Sequence, residues 1–266
     1  MKIIALLTCF NRRETTLSCL RLLARQVPCG AELGQVVVDD GSSDGTSEAI
    51  AKEFPAARIL RSDGSLYWCG GMRLAWQTAA EEDPDYYLLL NDDTHLVAEA
   101  LRELLLLAPN PECDVIAVAA ICDPVTGNST YGGVRRKSSV IPATGRPELC
   151  DTLNANCVLI PRAVYTKLGI LNDSYTHGMG DFDYGFLASR SGIRVLQSPT
   201  YLGTCSQNGW DGTWKDKSLS RIERFRQLQS PKGLPWKEWV TYNRRNSGWM
   251  WPIPCITPFL RILLGR

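Results

Sequence analysis

The chain has 266 residues, enough for one large domain or two small ones with ample core. Its 29 basic and 28 acidic residues nearly balance, which excludes a nucleic-acid partner held by bulk positive charge. No stretch approaches the roughly 18 continuous apolar residues of a membrane-spanning helix, and ten cysteines without a Cys-x-x-Cys pair point to free thiols in a reducing cytosol.

The opening apolar run is followed at once by Asn11-Arg12-Arg13, so it reads as a buried strand over 3–8 rather than a signal peptide. Leu17, Leu20, Leu23 and Ala24 at helical spacing predict a helix over 14–26. A strand over 35–39, a helix over 46–54 and a short strand over 58–61 follow. Gly70-Gly71 reads as a turn before a helix over 72–82, and then come a strand over 86–91, a helix over 96–108 and a strand over 115–120. Strands alternating with helices argue for βαβ units, a mostly parallel sheet and right-handed crossovers.

The pattern then changes. Asp123-Pro124-Val125-Thr126-Gly127-Asn128 is turn chemistry between hairpin strands, and 135–148 is a basic, Pro/Gly-bearing stretch expected to be a mobile loop. A strand over 156–160, a helix over 162–168 closed by Gly169, a helix over 181–191 ended by Gly192 and extended chain over 195–201 complete this part. Residues 205–217 read as loop, and two amphipathic helices are expected over 221–229 and 235–245. There is no internal repeat.

Two apolar runs end abruptly in paired carboxylates: Val36-Val37-Val38-Asp39-Asp40-Gly41-Ser42-Ser43-Asp44-Gly45 and Leu88-Leu89-Leu90-Asn91-Asp92-Asp93. Such runs read as strands buried on both faces, and their carboxyl ends are where an open α/β sheet presents ligand-binding groups. The pairing predicts one crevice for a polar ligand and a divalent cation. Magnesium and manganese prefer oxygen ligands, commonly one or two carboxylates with water and phosphate supplying the rest. Asp93 is placed to supply such a ligand, with Asp92 or Asn91 assisting; alternatively Asn91-Asp92-Asp93-Thr94 caps the next helix.

Gly41-Ser42-Ser43-Asp44-Gly45 also matches the Gly-x-Ser-x-Gly elbow of a hydrolase with Ser43 as nucleophile. That reading needs a later Asp and then His, whereas only His95 and His177 exist and neither has a distinctive setting. No Gly-x-Gly-x-x-Gly follows the first strand, which argues against a dinucleotide-binding dehydrogenase.

Leu7-Thr8-Cys9-Phe10-Asn11-Arg12, the Val-Val-Val-Asp-Asp-Gly-Ser-Ser-Asp-Gly-Thr run and Leu-Leu-Asn-Asp-Asp together resemble the family 2 glycosyltransferases of the GT-A fold, of bacterial surface-polysaccharide type, over residues 1 to about 205. The resemblance implies an inverting, metal-dependent enzyme that uses Mg2+ or Mn2+ and a UDP- or dTDP-linked sugar. It implies that Thr8, Phe10 and Arg12 line the nucleotide pocket, that Asp40 binds the base edge with Asp39 in support, and that Asp93 coordinates the metal beside Asp92. Residues 63–73 stand where the family closes over ribose and phosphates. There Gly71 would allow close backbone approach and Arg73 would reach the pyrophosphate, an ordinary turn with an aromatic core pair being the alternative. The resemblance names Asp181 as the general base that takes the acceptor proton, although Gly180 stands where the family commonly has an acidic residue. Asp183 is the second choice, and a plain N-cap is the other reading of Asp181. Asn154 and Asn156 fit acceptor-facing positions, though Asn in a turn needs no function. The late metal-binding His of some members is missing from Tyr201-Leu202-Gly203-Thr204-Cys205, so the metal relies on Asp93, phosphate and water, or His177 substitutes; a lone loop histidine is usually just solvated.

The chain thus divides into a nucleotide-sugar-binding half (1–120), an acceptor-binding half of the same catalytic domain (121–205) and a helical extension (206–266). In the extension Trp236, Trp239, Trp249 and Trp251 mix with Lys and Arg beside an apolar stretch over 252–264. This suits peripheral contact with a membrane interface and a lipid-linked or other glycan acceptor; packing onto the core or a dimer contact is the alternative. The expected place is the cytoplasm, at the inner face of the membrane where the tail makes that contact. A catalytically inactive sugar-nucleotide-binding module is the competing reading of the whole chain.

Overall fold

A computed structural model of the protein describes residues 1–26, 30–136 and 140–265. The first apolar run is the strand β1 (Lys2–Cys9), and its side chains alternate between two cores. Ile3, Ala5 and Leu7 join Leu17, Leu20, Leu23, Leu101 and Leu104 on one face of the sheet. Ile4 and Leu6 join Met72, Trp76, Val164 and Tyr184 on the other. A strand with helices on both faces has no polar side, which is why these runs lack the polar alternation of a half-exposed strand.

The helix α1 (Arg13–Ala24) leads to β2 (Glu32–Asp39), α2 (Thr46–Glu53) and β3 (Arg58–Arg61). Next come α3 (Tyr67–Ala80), β4 (Tyr86–Leu90), the two-residue β5 (His95–Leu96), α4 (Ala100–Leu107) and β6 (Val115–Cys122). The turn at 123–128 joins β6 to β7 (Ser129–Tyr131) as an antiparallel hairpin. Short strands β8 (Gly133–Val134), β9 (Glu148–Cys150) and β10 (Thr152–Leu153) precede β11 (Cys157–Pro161), α5 (Arg162–Leu168), α6 (Gly180–Arg190) and β12 (Arg194–Thr204). The mobile-loop expectation for 135–148 falls partly outside the described residues, and 148–150 is strand. The tail forms α7 (Arg221–Leu228), α8 (Trp236–Asn246) and α9 (Pro252–Leu263).

The main path of the sheet runs β3-β2-β1-β4-β11-β6-β12-β5. Strands β1, β2, β3 and β4 are parallel, as are β6 and β12, while β11 runs antiparallel between β4 and β6. Because Cys9 pairs Asp39 and Leu6 pairs Leu89, the carboxyl ends of β1, β2 and β4 share one edge. The antiparallel pairing of Cys157 with Leu90 brings the start of β11 to that same edge.

Two helices begin four or five residues from where the sequence places them. The helix expected over 72–82 begins at Tyr67, so Gly70 and Gly71 are helical and not a turn. A Cβ on Gly71 would stand 2.8 Å from Thr8 Cβ, so the glycine lets α3 lie against the end of β1. The helix expected over 96–108 begins at Ala100, because His95 and Leu96 pair with Thr204 and Gly203 of β12 as an edge strand. No described helix is long and apolar enough to cross a membrane. The nine described cysteines are all free thiols.

Candidate active site

Each loop at the shared edge is tied to its neighbour by the residue types the motifs supply. Asn11 Oδ1 accepts the Ser43 N–H at 2.8 Å, and Ser42 Oγ accepts the Asn11 N–H at 2.8 Å. The Ser43 hydroxyl also turns to Asn11, and among the described residues it has no histidine partner, so this Gly-x-Ser-x-Gly segment is a loop clamp and not a nucleophile elbow. Asp39 is buried and accepts the Ser42 N–H at 2.8 Å and the Ser47 hydroxyl, shaping the turn into α2. Asp40 accepts the Ser62 hydroxyl at 2.5 Å and the N–H groups of Leu66 and Tyr67 at 3.1 and 2.7 Å, which seats the start of α3. Tyr67 is held there at a φ of 52°, a conformation a bulky side chain adopts only when its surroundings impose it.

These loops surround a cavity of about 470 Å³ walled by Thr8, Phe10, Arg12, Asp40, Tyr67, Trp68 and Asp92, with His177 and Lys232 contributed from far along the chain. Phe10 is 52% exposed at the rim, where an aromatic face can stack on a planar ligand. Trp68 donates its indole N–H to Asn91 Oδ1 at 2.8 Å, fixing one wall to the end of β4.

At the floor, Arg12 Nη1 donates to Asp93 Oδ2 at 2.8 Å and to Asp92 Oδ1 at 3.3 Å. Thr16 donates to Asp92 Oδ2 at 3.1 Å. Burial is the larger influence on Asp92 and raises its pKa to about 6, with the Arg12 charge opposing it. The charge of the acidic pair is thus compensated by the Arg12 guanidinium. Two adjacent hard-oxygen donors compensated by a side chain fit a divalent cation that completes its shell with water and phosphate. Among the described residues no three His, Cys, Asp or Glu side chains converge as a preformed metal cage. Cys205, at the end of the stretch that lacks the late histidine, directs its thiol to Asp93 Oδ1 at 3.6 Å. Burial and the Asp93 charge push this thiol up to about 12.

Asp181 lies in the first turn of α6 at the same edge of the sheet. Its Oδ2 accepts the Ala155 N–H at 3.1 Å and its Oδ1 the Phe182 N–H at 2.9 Å. Ala155 adjoins Asn156, whose carbonyl accepts the Asn91 N–H at 2.9 Å and whose side chain donates to Thr94 Oγ1 at 3.3 Å. Asn156 thus joins the acidic turn to the Asp181 helix, and Asn154 holds this segment through its N–H to the Gly132 carbonyl. Burial raises the Asp181 pKa to about 6, against the two N–H donors. A carboxyl at that value is ionised at neutral pH and still basic enough to take a proton.

The structure commits three other expected residues elsewhere. Arg73 donates to the carbonyls of Asn172 and Tyr175 at 3.1 and 2.7 Å and so holds the segment before Asp181. Gly71 meets Thr8 rather than open space. Asp183 is buried and its carboxylate is bracketed by Arg245 Nε at 2.9 and 3.0 Å and by Asn246 Nδ2 at 2.8 Å. It anchors α8.

His177, expected to be solvated, is part of the cavity wall, with Nδ1 buried and without a hydrogen-bond partner among the described residues. Burial and the charges of Lys232 and Arg12 lower its pKa to about 4, so the ring is neutral at pH 7. Its position comes from long-range contacts: the Cys69 N–H donates to the Thr176 carbonyl at 3.1 Å, and Glu238 of α8 accepts the Thr176 N–H and hydroxyl at 3.0 and 2.8 Å. Nothing in the local sequence around His177 or Lys232 reveals these neighbours.

The sheet order, with helices packed on both faces, is that of the GT-A fold. Residues 5–158 match the family described as Glycosyl transferase family 2, and the chain belongs to that family. The low-salt glycan biosynthesis hexosyltransferase Agl10 of Haloferax volcanii is 23% identical over 171 residues, covering 61% of this chain and 55% of that protein. The match thus spans about half the length of that relative. The mannosyltransferase PcManGT from Pyrobaculum calidifontis, in complex with GDP-Man and Mn2+, superposes with a TM-score of 0.60 at 15% identity, covering 98% of this chain and 70% of its own. Residues 1–349 of S. aureus TarS, in complex with UDP-GlcNAc, give 0.60 at 14% identity over 100% and 81%. At such identities the likeness is one of fold.

Proposed function

We propose that the protein is an inverting, cation-dependent glycosyltransferase that moves a sugar from a nucleoside-diphosphate donor to an acceptor hydroxyl in glycan synthesis. The observation that carries this reading is the convergence of the Arg12–Asp92–Asp93 cluster with an elevated Asp181 carboxyl at one sheet edge beside an aromatic cavity. Thr8, Phe10, Arg12 and Asp40 form the nucleotide wall, with Asp39 shaping the loop behind them. A divalent cation, of the kind named with PcManGT, would be held by Asp93 with Asp92 and would compensate the charge of the leaving diphosphate. Arg12 and Lys232 add fixed positive charge there. As the acceptor oxygen attacks the anomeric carbon, the carbon–phosphate-oxygen bond breaks and the nucleoside diphosphate leaves with the electron pair. Asp181 Oδ takes the acceptor proton. A single displacement from the opposite face inverts the anomeric centre.

The donor is tested by thermal shift with UDP, dTDP, GDP and CMP, each with and without manganese. A nucleotide at about 100 times its dissociation constant stabilises by about 2.7 kcal/mol, or roughly 5–10 °C at this size. A metal-dependent rise with one diphosphate supports the reading and names the donor class; no rise with any of them refutes it. The anomeric configuration of the product, read by NMR, tests inversion.

The tail supports a second element of the reading, contact with a bilayer surface at the inner face of the membrane. Ile253, Ile256, Leu260 and Leu263 lie along one side of α9 and are 49–63% exposed, with Trp249 at 87% beside them. An apolar stripe of this kind, near basic residues, suits the headgroup region. Flotation with phosphatidylglycerol vesicles, lost on Ile256→Asp with Leu260→Asp, is the expected result.

A further inference from the structure

A second cavity, also of about 470 Å³, lies between the 210–215 loop and helices α8 and α9. Trp210, Trp214 and Trp239 supply its aromatic walls, and Lys215, Lys232 and Arg261 its charges, with no carboxylate among its lining residues. Among the described residues none of these three cations makes an ion pair, whereas Lys2, Arg21, Arg58, Arg61 and Arg162 all do. Lys215 Nζ stands 3.7 Å from the Trp210 ring centroid and 5.5 Å from that of Trp214. Burial, and then the Arg261 charge, hold its ammonium below the ordinary lysine value. Cations gathered without a carboxylate leave a local positive field whose complement is an anion. Indole faces are the natural support for the C–H face of a sugar ring, a flat apolar surface with polar edges.

The cleft is joined to the chemistry at two points. Lys232 lines both cavities. Trp239 stacks on Tyr242 at 5.6 Å with the rings 8° from parallel, and Tyr242 is close enough to Asp181 to be influenced by its charge. A sugar resting on Trp239 is therefore two side chains from the proposed base. We propose that this Trp-walled cleft is the acceptor subsite and that it takes a sugar carrying a phosphate, the indoles holding the ring and Lys215, Lys232 and Arg261 the anion. The inference rests on the transferase reading for the word acceptor, but the binding it asserts does not.

The test is tryptophan fluorescence titration, with glucose 1-phosphate, glucose and decyl diphospho-N-acetylglucosamine as probes and the donor cavity filled by whichever nucleoside diphosphate stabilises the protein. The two phosphate probes are expected to quench and neutral glucose is not. The double variant Lys215→Glu/Arg261→Glu is expected to weaken the quench about tenfold or more, the equivalent of one charge-assisted hydrogen bond, while the nucleotide thermal shift stays unchanged. In a transfer assay the same variant raises KM for a phosphorylated acceptor and leaves KM for the donor. Tighter binding of the decyl diphosphate assigns the phosphate to a lipid-linked acceptor; equal binding assigns it to a soluble one. Equal response to glucose, or a quench that survives the double variant, overturns the proposal. So does vesicle binding that the variant abolishes without any sugar phosphate binding, since the cations then serve a membrane surface. Loss of the nucleotide shift with the sugar-phosphate quench intact would instead sink the transferase reading alone.

Discussion

Replacing Asp181 by Asn should destroy activity and yet stabilise the protein at alkaline pH. Burial raises this carboxyl from 3.8 to about 6, and each pH unit of such a rise is worth about 1.36 kcal/mol. In the folded state the ionised form therefore costs about 3 kcal/mol at pH 8. The sign follows from proton binding: between pH 3.8 and 6 the folded protein holds more protons at this site than the unfolded chain. The cost is thus complete above about pH 6 and vanishes as pH falls toward 3.8. Asn carries no charge, but its amide offers one oxygen where the carboxylate accepted from both Ala155 and Phe182. Loss of one such bond, with an N–H left facing an N–H, costs about 1–2 kcal/mol. The variant should then be about 1–2 kcal/mol more stable than the parent at pH 8, roughly 2–8 °C in Tm, and about as much less stable at pH 4. Transfer should fall by about 10²–10⁴, the usual worth of a general base, with the nucleotide-induced shift retained. In the parent enzyme kcat/KM should decline below about pH 6 as Asp181 takes up a proton. An equal loss of Tm at both pH values with transfer within tenfold of the parent would show Asp181 to be a helix cap and not the base.

Gly71→Ala places a Cβ 2.8 Å from Thr8 Cβ; overpacking of about 1–3 kcal/mol should outweigh the helix preference for alanine of about 1 kcal/mol, and a Tm equal to or above the parent's would contradict the packing role. Arg12→Ala should weaken nucleoside-diphosphate affinity and, by vacating the Asp92–Asp93 pair, tighten Mn2+ binding to nucleotide-free protein as followed by EPR; unchanged Mn2+ affinity would separate the acidic pair from any metal role. Arg245→Met leaves the buried Asp183 carboxylate without its main counter-charge, a loss of about 3–5 kcal/mol for such pairs. Urea denaturation should show it, and Asp183→Asn in the same chain should recover part of it.

What the sequence disclosed best was the edge of the sheet where carboxylates end apolar runs, because two-sided burial and a change to paired acids are both local signals. Asp39, Asp40, Asp92 and Asp93 all lie where that signal puts them. The start of α3 was hidden because a glycine pair reads as a turn, and only the proximity of Thr8 shows that Gly71 is a contact point between helix and strand. The fate of Arg73 was hidden because its acceptors are backbone carbonyls about a hundred residues away, which side-chain identity does not encode. His177 was read as an ordinary loop histidine since its neighbours, the Tyr67 ring and the Arg12 and Lys232 charges, arrive from separate parts of the chain. The antiparallel direction of β11, which brings Asn156 to the acidic turn, depends on the path of the chain around α4 and β6 rather than on its own five apolar residues.

The family match ends at residue 158, before the proposed base and the whole tail, so the acceptor side must be understood from this chain's own contacts. Those contacts tie the tail to the base helix. Asp183, two residues beyond Asp181, is gripped by Arg245 and Asn246. Asn246 also accepts from Arg190 at the other end of α6 at 2.8 Å, and from Arg136 through its carbonyl at 2.5 Å. Glu238, in the first turn of α8, holds the Thr176 backbone and hydroxyl next to His177. Helix α8 therefore fixes both ends of the segment that presents Asp181, while its outer residue Trp239 forms the wall of the second cleft. The same helix that orients the proposed base shapes the place where the acceptor is proposed to rest. A substitution in α8 that disturbs this packing should change kcat and acceptor KM together and spare donor binding, whereas one in the β1–α1 loop should do the reverse.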